Sequence, residues 1–193
     1  MGKRQREEGS SQELRRQIES YLAEGKQCSQ CLLLALKDII GVHDDVLTTA
    51  TRTLGRGMGG SGAVCGALTA GILALGLANQ RGSEQAGAMD GVPSRYGRSA
   101  PPRNDFLDIY APAEPPEFVQ CRELISRFSQ EVVPHAGSFN CRDISGIDWS
   151  LPNAEELSRY YAPNGAMTQC ADLISRTADI VVSLVEGQRP YAA

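Results

Sequence analysis

No charged side chain occurs between residues 57 and 80, a stretch that mixes glycines with apolar residues. The stretch is long enough to span a bilayer. Its many glycines, however, fit a buried and closely packed helix better than an isolated membrane span. We therefore predict a glycine-rich turn up to Gly62, then a buried apolar helix over residues 63–78, and no membrane span.

Helical spacing of apolar residues dominates the rest of the chain. Ser10 with Glu13, and Asn153 with Glu156, form capping-box patterns that predict helix starts. The chain shows no convincing alternation of apolar and polar residues, the pattern that would indicate a strand. The predicted fold class is all-α, a helical bundle of about six or seven helices. The predicted helices cover about residues 10–24, 27–40, 44–54, 63–78, 115–133, 153–161 and 166–186.

Length and composition indicate one domain. The 193 residues are 41% hydrophobic and 22% charged, which is typical of a globular domain. Helical spacing fails over residues 81–114, where glycines and prolines gather and a long insertion loop is expected. The predicted organisation is a single helical domain, 1–193, with an N-terminal helix in 1–24 and a core formed by 25–80 and 115–187. A second loop, holding Cys141, is expected over residues 135–152.

The charge balance argues against nucleic acid as a partner. The chain has 19 Lys+Arg against 23 Asp+Glu, so no positive excess is available to neutralise a phosphate backbone. The first eleven residues contain no apolar run that could serve as a signal peptide, which predicts a cytoplasmic location. No nucleophile elbow or paired-acid pattern stands out, so no hydrolytic activity and no substrate is predicted.

The six cysteines are the candidate functional residues. One cysteine on an apolar stripe is usually a small buried hydrophobe, but six in a reducing compartment are more often metal ligands or redox thiols. Cys28, Cys65, Cys141 and Cys170 lie in four segments that a bundle can bring together, and four thiolates can hold zinc or an iron–sulfur cluster. Cys28 and Cys31 also form a CxxC pair, the spacing of redox dithiols. The two histidines fall in predicted loops and are expected to be exposed.

Residues 57–69, GMGGSGAVCGALT, resemble the signature of the C-GCAxxG-C-C family of redox-active proteins, small helical proteins named for four cysteines. Residues 25–28 resemble the segment of the family's first cysteine, and residues 137–143 resemble that of the third. The resemblance spans about residues 25–187. It implies that the family's four cysteines are Cys28, Cys65, Cys141 and Cys170. Cys31 and Cys121 would be additional.

The chain departs from the family pattern at two places. Ala70 stands where the motif ends in glycine, although Gly71 follows, and Ser29 and Cys31 stand where alanine is usual. The cysteine arrangement is also similar to the iron–sulfur portion of split-Soret-type cytochromes, which suggests a cluster. Leu32 occupies the position where a c-type haem attachment site requires histidine, so covalent haem is not expected.

These features lead to one main hypothesis for the function. The four family cysteines are expected to be the metal ligands of an iron–sulfur cluster, of the two-iron type, for one-electron transfer to a protein partner. Backbone N–H groups of the glycine turn at the start of the apolar helix are expected to donate to the cofactor sulfurs. The glycines assigned to this cofactor-binding role are Gly59, Gly60, Gly62 and Gly66.

Two alternatives stay open at this stage. In the first, no metal is bound, and pairs such as Cys28 and Cys31 cycle between dithiol and disulfide, which predicts at least one thiol with a lowered pKa. In the second, the chain is a helical interaction module whose cysteines bind structural zinc or only pack in the core. The sequence does not name the redox partner, and a homodimer is left open.

Overall fold

The computed structural model describes residues 3–41, 43–85 and 116–187. Over these residues the protein is all-α, as predicted, and it has eight α-helices rather than six or seven. The helices are α1 (Lys3–Ala23), α2 (Cys28–Ile40), α3 (Asp45–Ala50), α4 (Gly66–Gln85), α5 (Pro116–Arg127), α6 (Cys141–Ser145), α7 (Ala154–Tyr161) and α8 (Ala166–Glu186). A 3-10 turn (Thr51–Leu54) follows α3, and a π-helical turn (Phe128–Val132) follows α5.

Local signals in the sequence mark the starts of two helices and the end of a third, at the residues where the sequence predicted them. Gly41 adopts a left-handed conformation after α2, and its N–H donates to the Lys37 carbonyl. The Asp44 carboxylate accepts from the Val46 N–H at 2.7 Å and caps α3. Asn153 caps α7 by accepting from the Glu156 N–H at 2.8 Å, which confirms the second capping box.

Several helix boundaries differ from the predictions, among them the start of α4, which begins at Gly66 rather than at residue 63. α1 begins at Lys3, so Ser10 lies inside the helix rather than at its N-cap, because good helix formers precede it. α4 continues to Gln85, so the first five residues of the predicted 81–114 loop are helical, and residues 86–114 lie outside the described part. The predicted 135–152 loop contains α6, which is too short to show helical periodicity in the sequence.

The main core lies where α2, α4 and α8 pack against one another. α1 packs against α2 and α8, and α5 packs against α4 and α8. Fully buried side chains of this core include Leu32, Leu36, Leu75, Ile174 and Val181, each of which contributes about 1.5–3 kcal/mol by its burial. This position explains why α4 carries no charged residue before Arg81. None of the described helices combines the length and apolarity that a bilayer crossing needs.

A smaller apolar cluster lies apart from the main core. It contains Cys141, Ile147 and Trp149, with Leu157 and Tyr160 packed against it. We call residues 146–161 the cap segment. Its helix, α7, packs against α8 and has no fully buried side chain. The cap segment is therefore held by a limited apolar contact beside Cys141.

Gly71 allows α4 to approach α5 and α8 closely. A Cβ atom at Gly71 would lie 2.9 Å from Leu124 Cδ2 and 3.4 Å from Val181 Cγ2. Both of these leucine and valine side chains are completely buried, so they have little room to move. A Cβ atom at Gly76, on the same helix, would meet no atom within 4 Å.

We expect Gly71→Val to lower the free energy of unfolding by about 1–3 kcal/mol, because the larger side chain overpacks the junction of three helices. Gly76→Val is the matched control and should change it by less than about 0.5 kcal/mol, since the site is open and valine is no worse than glycine in a helix. Urea unfolding of both variants provides the measurement. Equal stability of the two variants would contradict the close packing at Gly71.

Candidate functional site

Four of the six cysteines line one cavity of about 120 Å³. Cys28 is the first residue of α2, Cys65 immediately precedes α4, Cys141 is the first residue of α6, and Cys170 lies in the second turn of α8. The cavity is about ten times larger than the space that one water molecule needs. The four cysteines singled out in the sequence therefore face a common space.

A short antiparallel pairing of two chain segments brings Cys65 and Cys141 together. Val64 and Asn140 form an isolated β-bridge. The Cys65 N–H donates to the Phe139 carbonyl at 2.8 Å, and the Cys141 N–H donates to the Ala63 carbonyl at 2.7 Å. The pairing fixes the starts of α4 and α6 side by side, so both thiols reach the cavity.

Cys28 is held by close backbone contact with the segments around it. A Cβ atom at Gly66 would lie 2.6 Å from Cys28 Sγ and 2.8 Å from the Leu54 carbonyl oxygen. Backbone N–H groups of Ser29, Arg56 and Gly66 form hydrogen bonds with the Cys28 sulfur. Glycine at position 66 is therefore a steric requirement for this approach.

We expected the N–H groups of the glycine turn to donate into the cavity, but three of them donate to backbone carbonyls instead. Those of Gly59, Gly60 and Gly62 donate to carbonyls of the same loop and of the preceding 3-10 turn, at 2.6, 3.3 and 3.1 Å. These N–H groups stabilise the turn, in which all three glycines have φ between 72° and 77°. Of the four glycines assigned to the cofactor, Gly66 is the one whose N–H forms a hydrogen bond with a cysteine sulfur.

The amino ends of helices supply further hydrogen bonds to the thiols. The N–H groups of Ala67 and Leu68, in the first turn of α4, form hydrogen bonds with Cys65. Cys28 and Cys65 each lie at the amino end of a helix of thirteen or more residues. The partial positive charge at these ends favours a negative charge on sulfur.

The cap segment covers the side of the cavity next to Cys141. The Trp149 Nε1–H donates to Ser145 Oγ at 3.2 Å, and the Ser145 hydroxyl donates to the Cys141 carbonyl at 2.7 Å. The Arg56 guanidinium lies 4.9 Å from the centre of the Trp149 ring, in a cation–π contact. Tyr160 also lines the cavity.

The charges around the cavity have one sign. Among the described residues that line it, Lys26 and Arg56 are the only charged ones, and both are positive. Lys26 also forms an ion pair with Glu24 at 3.1 Å, outside the cavity lining. This environment suits an anionic occupant better than a free cation.

Every cysteine of the described chain has a pKa above its ordinary value of 9.0. Burial is the largest cause for each, and it raises the pKa of Cys141 to about 12 and that of Cys170 to about 11. The pKa values of Cys28 and Cys65 are raised for the same reason. Repulsion from the Cys28 thiolate adds to the shift at the other three cavity thiols. The lowered pKa that the dithiol hypothesis predicts is therefore not found among them.

Cys31 and Cys121 lie outside the cavity. Cys31 is completely buried in the main core, and its thiol donates to the Lys26 carbonyl at a sulfur–oxygen distance of 3.7 Å. Burial raises its pKa to about 12. Cys121 is half-buried on α5. The two histidines are exposed, as expected, and neither lines the cysteine cavity.

A single metal ion does not fit the cysteines as they stand. Within residues 3–41, 43–85 and 116–187, no group of three or more His, Cys, Asp or Glu side chains is arranged to hold one ion. A mononuclear zinc site needs thiolates about 2.3 Å from one point. The four thiols instead line a common cavity.

Sequence reasoning missed the side chains that support the cysteines: Arg56, Ser145, Trp149 and Tyr160. The sequence pattern that could identify them is weak, because each side chain lies near a cysteine that is distant in sequence or that begins a short helix. The concentration of aromatic residues in 149–161, including the single tryptophan of the chain, was the usable clue.

The fold and the site define a helical protein in which four cysteines from four segments line one cavity. Residues 26–184 match the family described as "Putative redox-active protein (C_GCAxxG_C_C)". The chain belongs to this family, as its motifs predicted. No curated protein and no solved structure matches the chain.

We expect the metal-free protein to lose stability as the pH rises above about 9. Unfolded thiols ionise near 9.0, whereas folded Cys170 and Cys141 stay protonated until about 11 and 12. The raised folded pKa values therefore contribute stability that is complete below 9 and is lost between about 9 and 12. Urea unfolding from pH 7 to 11 measures the loss, and the Cys141→Ser, Cys170→Ser double variant should show a flatter profile. Identical pH profiles of stability for wild type and the double variant would contradict the raised pKa values of Cys141 and Cys170.

Gly66→Ala should lower the free energy of unfolding by about 1–3 kcal/mol, because its methyl group would collide with Cys28 Sγ and with a backbone carbonyl. The variant should also expose Cys28 to alkylation, which mass spectrometry of the metal-free protein detects. Gly76→Ala, in an open part of the same helix, is the control and should stabilise by up to about 1 kcal/mol. Unchanged alkylation of Cys28 in Gly66→Ala would rule out the contact.

Proposed function

We propose that this protein is an electron carrier whose four cavity cysteines, Cys28, Cys65, Cys141 and Cys170, hold an iron–sulfur cluster. When bound by these four cysteines, such a cluster would supply one-electron transfer between protein partners. The observation that carries the proposal is the convergence of these four side chains on one cavity.

The surroundings of the cavity support an anionic cofactor. Four thiolates together with sulfide ions outweigh the positive charge of the irons, so the whole group is negative. The helix amino ends at Cys28 and Cys65 and the side chains of Lys26 and Arg56 supply compensating positive charge. Hydrogen bonds from the backbone to sulfur would favour the reduced form and raise the reduction potential.

The apolar walls of the cavity give a second line of support. Ile144, Leu173 and Ile174 line it together with Trp149. These side chains would exclude water from the sulfurs, which protects a cluster from hydrolysis and contributes to its potential.

The two alternatives are less well supported by the geometry. A CxxC dithiol would use Cys28 with Cys31, but Cys31 is buried in the core and lies outside the cavity lining. A reactive thiol also needs a lowered pKa, whereas burial raises the pKa of both cysteines. A structural zinc ion would need the thiols to move together, because no described group of donors fits one ion.

Protein purified without oxygen should contain iron and acid-labile sulfide and show a visible absorption band that dithionite bleaches. Cys65→Ser and Cys141→Ser should lose most of the iron, because each removes a ligand from the cavity. Cys121→Ser is the matched control and should keep it, since Cys121 lies on α5 outside the cavity. Iron, sulfide and zinc are assayed on the same samples.

Two results would overturn the proposal. A colourless protein without iron after anaerobic reconstitution would exclude the cluster, and bound zinc or a dithiol–disulfide change would then point to one of the alternatives. Equal iron loss in Cys121→Ser and Cys65→Ser would show that the cavity does not select the ligands.

A further inference from the structure

Cys170 differs from the other three cavity cysteines in how its sulfur is supported. Backbone N–H groups form hydrogen bonds with Cys28 and Cys65. Cys141 is supported through its backbone, because the Ser145 hydroxyl donates to the Cys141 carbonyl and Trp149 donates to Ser145. Cys170 lies in the second turn of α8, where backbone N–H groups are used within the helix. Tyr160 and Cys170 line the same cavity, and the Tyr160 side chain opposes the burial that raises the pKa of Cys170.

The Tyr160 ring is held in place from two sides. It makes an edge-to-face contact with Trp149, with ring centres 5.0 Å apart, and another with Tyr161 at 4.9 Å. Trp149 is itself fixed by its hydrogen bond to Ser145. α7, which carries Tyr160, packs against α8, which carries Cys170. The orientation of the hydroxyl is therefore set by packing of the cap segment.

We infer that Tyr160 is the positioning residue of Cys170: its hydroxyl holds this sulfur toward the cavity and donates a hydrogen bond to it. The inference rests on the proposed function, because it assigns Tyr160 a role toward the same cofactor. A protonated tyrosine hydroxyl is a hydrogen-bond donor, and hydrogen bonds to a ligand sulfur stabilise the more negative, reduced form. Tyr160 would thus raise the reduction potential and slow the loss of iron.

Tyr161 provides a matched control for this role. It neighbours Tyr160 in sequence, also lines the cavity, and is 55% exposed. No hydrogen bond joins it to a cysteine in the described part of the chain. Tyr160→Phe and Tyr161→Phe each remove one hydroxyl and keep the ring, so the packing of the cap segment is retained.

The first measurement uses iron-loaded protein. Tyr160→Phe should have a more negative midpoint potential than wild type and should lose iron to a chelator about ten-fold faster, the lower end of the effect expected for a supporting group of a metal ligand. Tyr161→Phe should match wild type in both respects. Circular dichroism of the variants checks that the helices are intact.

The second measurement needs no cofactor. In the metal-free protein, the S–H stretching band of Cys170, identified by its disappearance in Cys170→Ser, should shift in Tyr160→Phe and stay in place in Tyr161→Phe. An unshifted band in Tyr160→Phe, or a potential and iron-loss rate equal to those of Tyr161→Phe, would overturn the inference. If the band shifts in Tyr160→Phe but the wild-type protein takes up no iron, the proposed function is disproved and the link between Tyr160 and Cys170 is kept.

Discussion

The arrangement of the cavity depends on the antiparallel pairing between the segment before Cys65 and the segment before Cys141. The two hydrogen bonds on either side of the Val64–Asn140 bridge join the start of α4 to the start of α6. α6 has only five residues and could not hold its own position, so this pairing anchors it to the 20-residue helix α4 of the core. Cys28 then reaches the same place because Gly66 leaves room for its sulfur.

Much of the fold could be predicted because its signals are local. The capping groups of Asp44 and Asn153, the terminal Gly41 and the helix Ala166–Glu186 all follow from neighbouring residues. The uncharged stretch predicted a buried helix, and α4 packs one side against three other helices. The four cysteines of the cavity were singled out because they lie in separate segments and because those segments resemble a family motif.

What the sequence did not reveal is mostly non-local. The N–H groups of Gly59, Gly60 and Gly62 serve the turn itself, and no pattern along the chain distinguishes a donor used in a turn from one aimed at a thiol. The separation of Cys31 from the cavity depends on how far α2 rotates against the core, so a CxxC spacing alone does not determine it. The groups that support Cys141 and Cys170 are the side chains of Ser145, Trp149 and Tyr160, which are distant from Cys28 and Cys65 in sequence.

Trp149 is the only tryptophan of the chain, and it is 7% exposed on the wall of the cavity. Ultraviolet-excited indole emission from this protein therefore comes from a single point, beside Cys141 and in contact with Tyr160 and Arg56. A coloured group in the cavity would quench that emission by energy transfer. The protein thus carries a built-in optical reporter of whether its cavity is filled, without any added label.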